Sequence, residues 1–350
     1  MSLTIQIGEL VLQNVVAAAP MSGVSDAPFR AIAAEAGAGL VVSEMVASAE
    51  LAGRRADMVR RAENLAGVKP FVIQLAGRDA HWMAKGAELA EAAGADIVDI
   101  NMGCPARQVT GALSGSALMR DPDHAISLVK ATLEGTSKPV TLKMRLGWDW
   151  DCLNAAEIAR RAEDAGVSLI TVHGRVRNQF YKGVANWRAI EDVKDAVAIP
   201  VIANGDIVDL ASARQALAES GADGVMIGRA ATGRAWLPGR IAAALANGSA
   251  SVDVPTLEEQ TTLFLRQYAM TIDHYGPRLG VRVARKHLAA FIDAAPIDLA
   301  PLQRRHWRAA LCRLDDPAAV TDAIEGASSG VFSLLNASSA DPSSRDAAAA

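Results

Sequence analysis

One phrase recurs along this chain and constrains its fold more than any other feature. A helical stretch ends in Ala-Gly or Ser-Gly, and a short apolar run, mostly β-branched, follows it. The phrase occurs as Ala36-Gly37 before Leu40-Val41-Val42 and as Ala93-Gly94 before Ile97-Val98-Asp99-Ile100. It returns as Ala165-Gly166 before Leu169-Ile170-Thr171-Val172, and as Ser220-Gly221 before Val225-Met226-Ile227. Gly after the last helical turn is a C-cap signal, and such an apolar run fits a strand buried on both faces. Three further runs open from Pro or Lys-Pro, at Phe71-Val72-Ile73, Val140-Thr141-Leu142 and Val201-Ile202-Ala203. Val15-Val16-Ala17-Ala18 makes an eighth.

Helical stretches such as Ala80–Ala92, Ala155–Ala165 and Leu210–Glu219 lie between these runs. The class is α/β, and eight alternations read as a (β/α)8 TIM barrel of about 240 residues. An open doubly wound sheet is the competitor. It would carry a Gly-rich dinucleotide fingerprint after its first strand, and Ala-Pro-Met-Ser-Gly is not one. The barrel is expected to occupy 1–245. Asn247-Gly248-Ser249-Ala250-Ser251 reads as a linker, and Thr256 with Glu259 forms a capping-box pattern for a new helix. Residues 256–333 then read as a C-terminal all-helical domain broken at Gly276-Pro277, Pro296, Pro301 and Pro317, and the Ala/Ser/Asp-rich stretch 338–350 as disordered.

At 350 residues, 51% hydrophobic and 21% charged, the chain can bury a large core, which excludes a wholly disordered class. No apolar run approaches the roughly 20 residues of a membrane span, and Gln6, Glu9, Gln13 and Asn14 interrupt the start as a secretion signal would not allow. Three cysteines, an odd number, argue against a disulfide framework and for a reducing cytoplasm. No CxxC or HxxxH pairing is present, so no metal is expected. A monomer is the expected state.

The net charge of −4 is unevenly spread. From Gly276 to Arg313 there are eight basic residues and two acids, Asp293 and Asp298, a surplus of six that leaves −10 elsewhere. Arg278, Arg282, Arg285 and Lys286 fall at i, i+4, i+7 and i+8, one helix face. His306-Trp307-Arg308 sets an aromatic between cations. A solvated face is the ordinary explanation of such a run; a polyanion partner is the other.

In such a barrel the C-terminal strand ends converge on one mouth. Gly205 and Gly228 would let a phosphate approach the backbone, Arg229 would supply donors, and Ala230–Ala235 could open a helix facing the anion. Each Gly could instead merely close a tight βα turn. Gln74, Lys143 and His173 are expected to face inward, where a flavin needs a cation near N1/O2. His173 could equally be a satisfied core histidine, whereas a buried Lys without an anion is costly. Cys104 lies in a Gly-Cys-Pro turn; a free thiol titrates near pH 8.5, about right for a general acid at neutral pH.

These motifs resemble the tRNA-dihydrouridine synthase family, most of all its B-type bacterial subgroup. The likeness runs from Ala18 to His287. It is carried by Ala19-Pro20-Met21-Ser22-Gly23, Ser43-Glu44-Met45, Gln74-Leu75-Ala76-Gly77 and Asp99-Ile100-Asn101-Met102-Gly103-Cys104-Pro105. Lys143-Met144-Arg145, His173-Gly174-Arg175, Asn204-Gly205-Asp206, Gly228-Arg229 and Arg282-Val283-Ala284-Arg285-Lys286-His287 continue it. The resemblance implies tightly bound FMN held by Pro20, Met21, Ser22, Gln74, Lys143, His173, Asn204, Gly205, Asp206, Gly228 and Arg229. It further implies reduction of the C5–C6 bond of specific tRNA uridines, with hydride from NADPH through FMN and Cys104 as proton donor. Asn101 would contact the flipped-out uracil and the helical domain would grip tRNA. Arg175, Arg177, Arg282, Arg285 and Lys286 are the other candidate substrate contacts. Two further readings share parts of this pattern: a dihydroorotate-type dehydrogenase acting on a free pyrimidine, which gives no reason for the basic helix, and a non-catalytic RNA-binding barrel.

Overall fold

A computed structural model describes residues 4–111, 113–328 and 330. Within them the chain divides into two compact units. One runs to Ala231 and includes Trp236–Asp253; the other comprises Thr232–Ala235 and the chain from Val254 onward.

A two-residue hairpin, β1 (Gln6–Ile7) and β2 (Leu10–Val11), precedes the first unit's main sheet. The apolar runs then become β3 (Val16–Ala18), β4 (Leu40–Ala47), β5 (Phe71–Ala76), β6 (Ile97–Met102), β7 (Val140–Arg145), β8 (Leu169–His173), β9 (Val201–Asn204) and β10 (Gly224–Ile227). All pair in parallel with their neighbours, and β10 closes on β3 to complete an eight-stranded barrel. The helices Ala80–Ala92, Ala155–Ala165 and Leu210–Ser220 lie between strands as the sequence predicts. Gly37, Gly94, Gly166 and Gly221, which end the recurring phrase, all have positive φ. That conformation is cheap only for Gly and turns the chain into the next strand.

The hairpin was not anticipated, because its strands are too short to carry a period. Its function is visible in packing. Ile5 and Ile7 are fully buried, and a Cβ on Gly224, the first residue of β10, would lie 2.7 Å from Ile5. The hairpin therefore seals the N-terminal end of the barrel. The C-terminal end is left for chemistry.

The second unit contains helices Leu257–Tyr275, Pro277–Ala294, Pro301–Leu311 and Pro317–Ser328. Thr256 and Glu259 form the capping box, with Glu259 Oε2 accepting from the Thr256 N–H at 2.7 Å. Pro opens three of the four helices, where its missing N–H costs nothing. The core is built on Phe264 and Phe291, stacked 4.5 Å apart, with Trp307, Leu311 and Ile324. The stretch 338–350, and 331–333 of the expected helical domain, lie outside the described residues.

Candidate active site

The sulfur of Cys104 belongs to a turn that leaves β6 at the C-terminal mouth, and the residue is half-buried. The turn is held from three directions. Asn101 Oδ1 accepts from the Gly103 and Cys104 N–H groups at 3.2 and 3.0 Å. Ser116 donates both its hydroxyl (2.8 Å) and its N–H (3.1 Å) to the Cys104 carbonyl. Arg145 Nε donates to the Gly103 carbonyl at 2.8 Å. The rest of that buried guanidinium binds the carbonyls of Val176 and Phe180, so one arginine ties the Cys104 turn to the loop after β8. Burial lowers its pKa to about 10.

Strand register sets the polar residues in layers. Gln74, Asp99 and Thr141 are partners across β5, β6 and β7, and Asn101 is level with Lys143 one layer nearer the mouth. Lys143 Nζ donates to Asn204 Oδ1 at 3.0 Å, and Asn204 in turn donates to the Met226 carbonyl. Burial, with Arg145 nearby, depresses the Lys143 ammonium to about 8, against the pull of Asp99 and Cys104. Its hydrogen-bond partner is a neutral amide, so the site favours an added anion there.

His173 is held neutral. Burial lowers its pKa well below the usual range, and Lys143, Arg145, Arg175 and Arg229 lower it further. Arg175 Nη1 lies 3.3 Å from its Nε2. An arginine can only donate, which assigns the imidazole proton to Nδ1. Of the loop after β3, Pro20 and Met21 are half-buried and Ser22 is exposed.

Two glycines of the expected phosphate site behave differently. Gly205 has φ +115°, and a Cβ there would meet Ala185 and His173 at 2.8 Å, so internal packing alone requires it. Gly228 is the reverse: a Cβ would find nothing closer than Ala19 and Met21 at 3.9 Å. Protein packing gives no reason for its small size, and the space it leaves suits a ligand. Arg229 is largely exposed and touches Asp206 at 3.3 Å. Ala230–Ala235 does not open a helix, contrary to expectation. A 3-10 turn occupies Arg229–Ala231, Gly233 packs against Phe291, and the next helix starts at Leu237.

The structure places the substrate candidates in different surroundings. Arg175 is buried and ion-paired with Asp206 at 2.6 Å, with Nε and Nη2 also donating to the Lys182 and Gly183 carbonyls and Nη1 turned to His173, so its guanidinium braces a loop. Arg177 is half-buried, with its guanidinium 4.5 Å from the Trp148 ring and bonded to Thr110. In the helical unit Arg278, Arg282 and Lys286 are exposed, whereas Arg285 is half-buried and pairs with the exposed Asp315 at 2.8 Å and with the Leu314 carbonyl. Trp307 is buried in the core, not offered between cations; with Leu311 one turn later it forms an inward stripe. Arg304 spends its guanidinium on the Ile292, Ala295 and Ile297 carbonyls. Asp99 and Arg145 were missed as site residues. An acid inside the apolar run Ile97-Val98-Asp99-Ile100 was the available signal for the first.

Among the described residues no group of three or more His, Cys, Asp or Glu could hold a metal, and no helix is long and apolar enough to cross a membrane.

The sequence model of the dihydrouridine synthase (Dus) family matches residues 16–327, most of the chain. This chain belongs to the dihydrouridine synthase family. It is an enzyme, an oxidoreductase by family. A probable tRNA-dihydrouridine synthase of Rhodobacter capsulatus is 51% identical over 93% of the chain and 98% of its own length. The tRNA-dihydrouridine synthase B of Pseudomonas putida is 42% identical over 83% of the chain and 86% of its own length. Among solved structures, a 2-naphthoyl-CoA reductase complex is similar at TM-score 0.54 and 13% identity, covering 70% of this chain and 52% of that chain. At such identity the likeness shows the shared barrel fold.

Proposed function

We propose that this protein reduces the C5–C6 double bond of specific uridines in tRNA to dihydrouridine, with FMN as its flavin and NADPH as the source of hydride. The observation that carries the reading is Cys104: a thiol at the barrel mouth, on a turn fixed from three sides, facing the same end as the Lys143 ammonium.

The donor set fits a flavin phosphate and ring. Lys143 is a half-buried cation whose hydrogen bond goes to a neutral amide, Gly228 leaves open space, and Arg229 is exposed beside it. In this reading Pro20, Met21, Ser22, Gln74, Lys143, His173, Asn204, Gly228 and Arg229 would hold FMN. Gly205 and Asp206 would act through His173, Arg175 and Arg229. When bound and reduced, a flavin supplies hydride to C6 of the uracil. Cys104 then gives its proton to C5 and recovers one from solvent, so that one hydride and one proton saturate the bond. Lys143 would offset negative charge developing on a bound, reduced flavin. His173, held neutral, offers an N–H without adding charge. A base stacked within RNA cannot reach such a mouth, so the target nucleotide must be extruded.

The barrel (1–245) would be the catalytic domain and the helical segment (256–333) the tRNA-binding one, with Arg278, Arg282 and Lys286 meeting phosphates. The test is mass-spectrometric mapping of dihydrouridine in tRNA from cells with and without the gene. Loss of defined dihydrouridines, restored by the gene, is expected; an unchanged map contradicts the reading.

A further inference from the structure

Beneath Cys104 runs a chain of hydrogen bonds with a single direction. The Cys104 and Gly103 N–H groups donate to Asn101 Oδ1. Asn101 Nδ2 donates to Gln74 Oε1 at 2.7 Å, and Gln74 Nε2 donates to Asp99 Oδ2 at 2.7 Å. Thr141 Oγ1 donates to the other carboxylate oxygen at 2.6 Å. All four side chains are buried: Gln74 1%, Thr141 3%, Asp99 4% and Asn101 8% exposed.

The two ends of this chain dictate its middle. Backbone N–H groups can only donate, and an ionised carboxylate can only accept. Gln74 must therefore turn its NH2 to Asp99 and its oxygen to Asn101, and Asn101 must turn its oxygen to the Cys104 turn. Reversing either amide would set donor against donor in a buried site, which is costly. We propose that Asp99 is a positioning residue which, through Gln74 and Asn101, fixes the Cys104 turn and so aims its thiol. On this account the Asn101 amide is spent largely on that turn. The consequence for turnover rests on the function proposed above; the consequence for the thiol does not.

The test reads the thiol directly, in flavin-free protein carrying Cys152→Ser and Cys312→Ser, by its rate of reaction with 2,2′-dithiodipyridine. Asp99→Leu removes the acceptor, and Cys104 is expected to react about tenfold faster as its turn loosens. In the flavin-loaded enzyme kcat should fall roughly 10- to 100-fold at unchanged KM for tRNA, as befits a misaimed group. Asp99→Asn can still present an oxygen to Gln74 while Thr141 accepts from its NH2, and it should restore the larger part of both values. If Asp99→Leu does not fold, the near-isosteric Gln74→Met breaks the same chain, and the thiol should speed up alike. A further readout is pH. Burial pushes the Asp99 carboxyl up to about 6 against the pull of Thr141, Gln74 and Lys143, the charged group that faces it from β7. The ratio of wild-type to Asp99→Asn thiol reactivity should therefore bend near pH 6. Wild-type thiol reactivity in Asp99→Leu, or in Gln74→Met where that stands in, overturns the proposal. A changed thiol with no dihydrouridine activity in the parent enzyme instead overturns the function and leaves the positioning intact.

Discussion

Asp99 and Asp206 both serve the barrel mouth, and the protein treats them in opposite ways. Asp99 sits on β6 between the Gln74 amide and the Thr141 hydroxyl, and burial lifts its pKa to about 6 against their pull and that of Lys143. Asp206 follows β9. Burial pushes it up as well, but the Arg175 hydrogen bond, the Ala185 N–H and the charges of Arg175 and Arg229 outweigh that and leave it below the usual carboxylate range. The difference is one of partners. Neutral donors give direction to an acid without neutralising it, while an arginine neutralises it and is itself fixed. The β5–β7 side of the mouth thus aims a thiol, and the β8–β10 side braces the loop behind His173.

The larger effect is expected on the paired side. Asp206→Asn keeps the size and tolerates the positive φ of 52° but leaves the buried Arg175 charge without its counter-ion. A stability loss of about 3 kcal/mol is expected in urea unfolding; a loss below about 1 kcal/mol would mean that solvent already screens the pair. An effect of at most similar size is expected on the unpaired side, with a definite sign. Because the folded-state pKa of Asp99 is raised, its favourable contribution is complete below about pH 4 and is lost as pH rises through about 6. Relative to Asp99→Asn, the wild type should lose up to about 3 kcal/mol across that window. Asp206, whose pKa is lowered, contributes with the opposite sign: its stabilisation is lost as pH falls. Parallel stability profiles for wild type and Asp99→Asn would break the contrast.

The strands were legible because a strand buried on both faces needs a continuous apolar run, and Gly after each helix marks where the run starts. Cys104 and Lys143 were legible because each is chemically out of place at a strand end. Partner choice was not. Arg282 and Arg285 lie three residues apart on one helix, yet only the second reaches Asp315, from a segment 30 positions away. Arg175 reads as a free cation until the fold brings Asp206 beside it. Trp307 was misread because composition ranks an aromatic between cations as a nucleic-acid contact, whereas its spacing to Leu311 already placed it inward. Gly205 and Gly228 look alike in sequence, and only packing distinguishes a glycine the protein needs from one that leaves room for a ligand.

The central claim concerns the proton given to uracil C5. Purified wild type and Cys104→Ala, each reconstituted with FMN, should be given NADPH and unmodified tRNA, and dihydrouridine counted by mass spectrometry. The account predicts that the variant binds flavin and tRNA as the wild type does but forms product at least about 100-fold more slowly. Dihydrouridine formed by Cys104→Ala at the wild-type rate would contradict it.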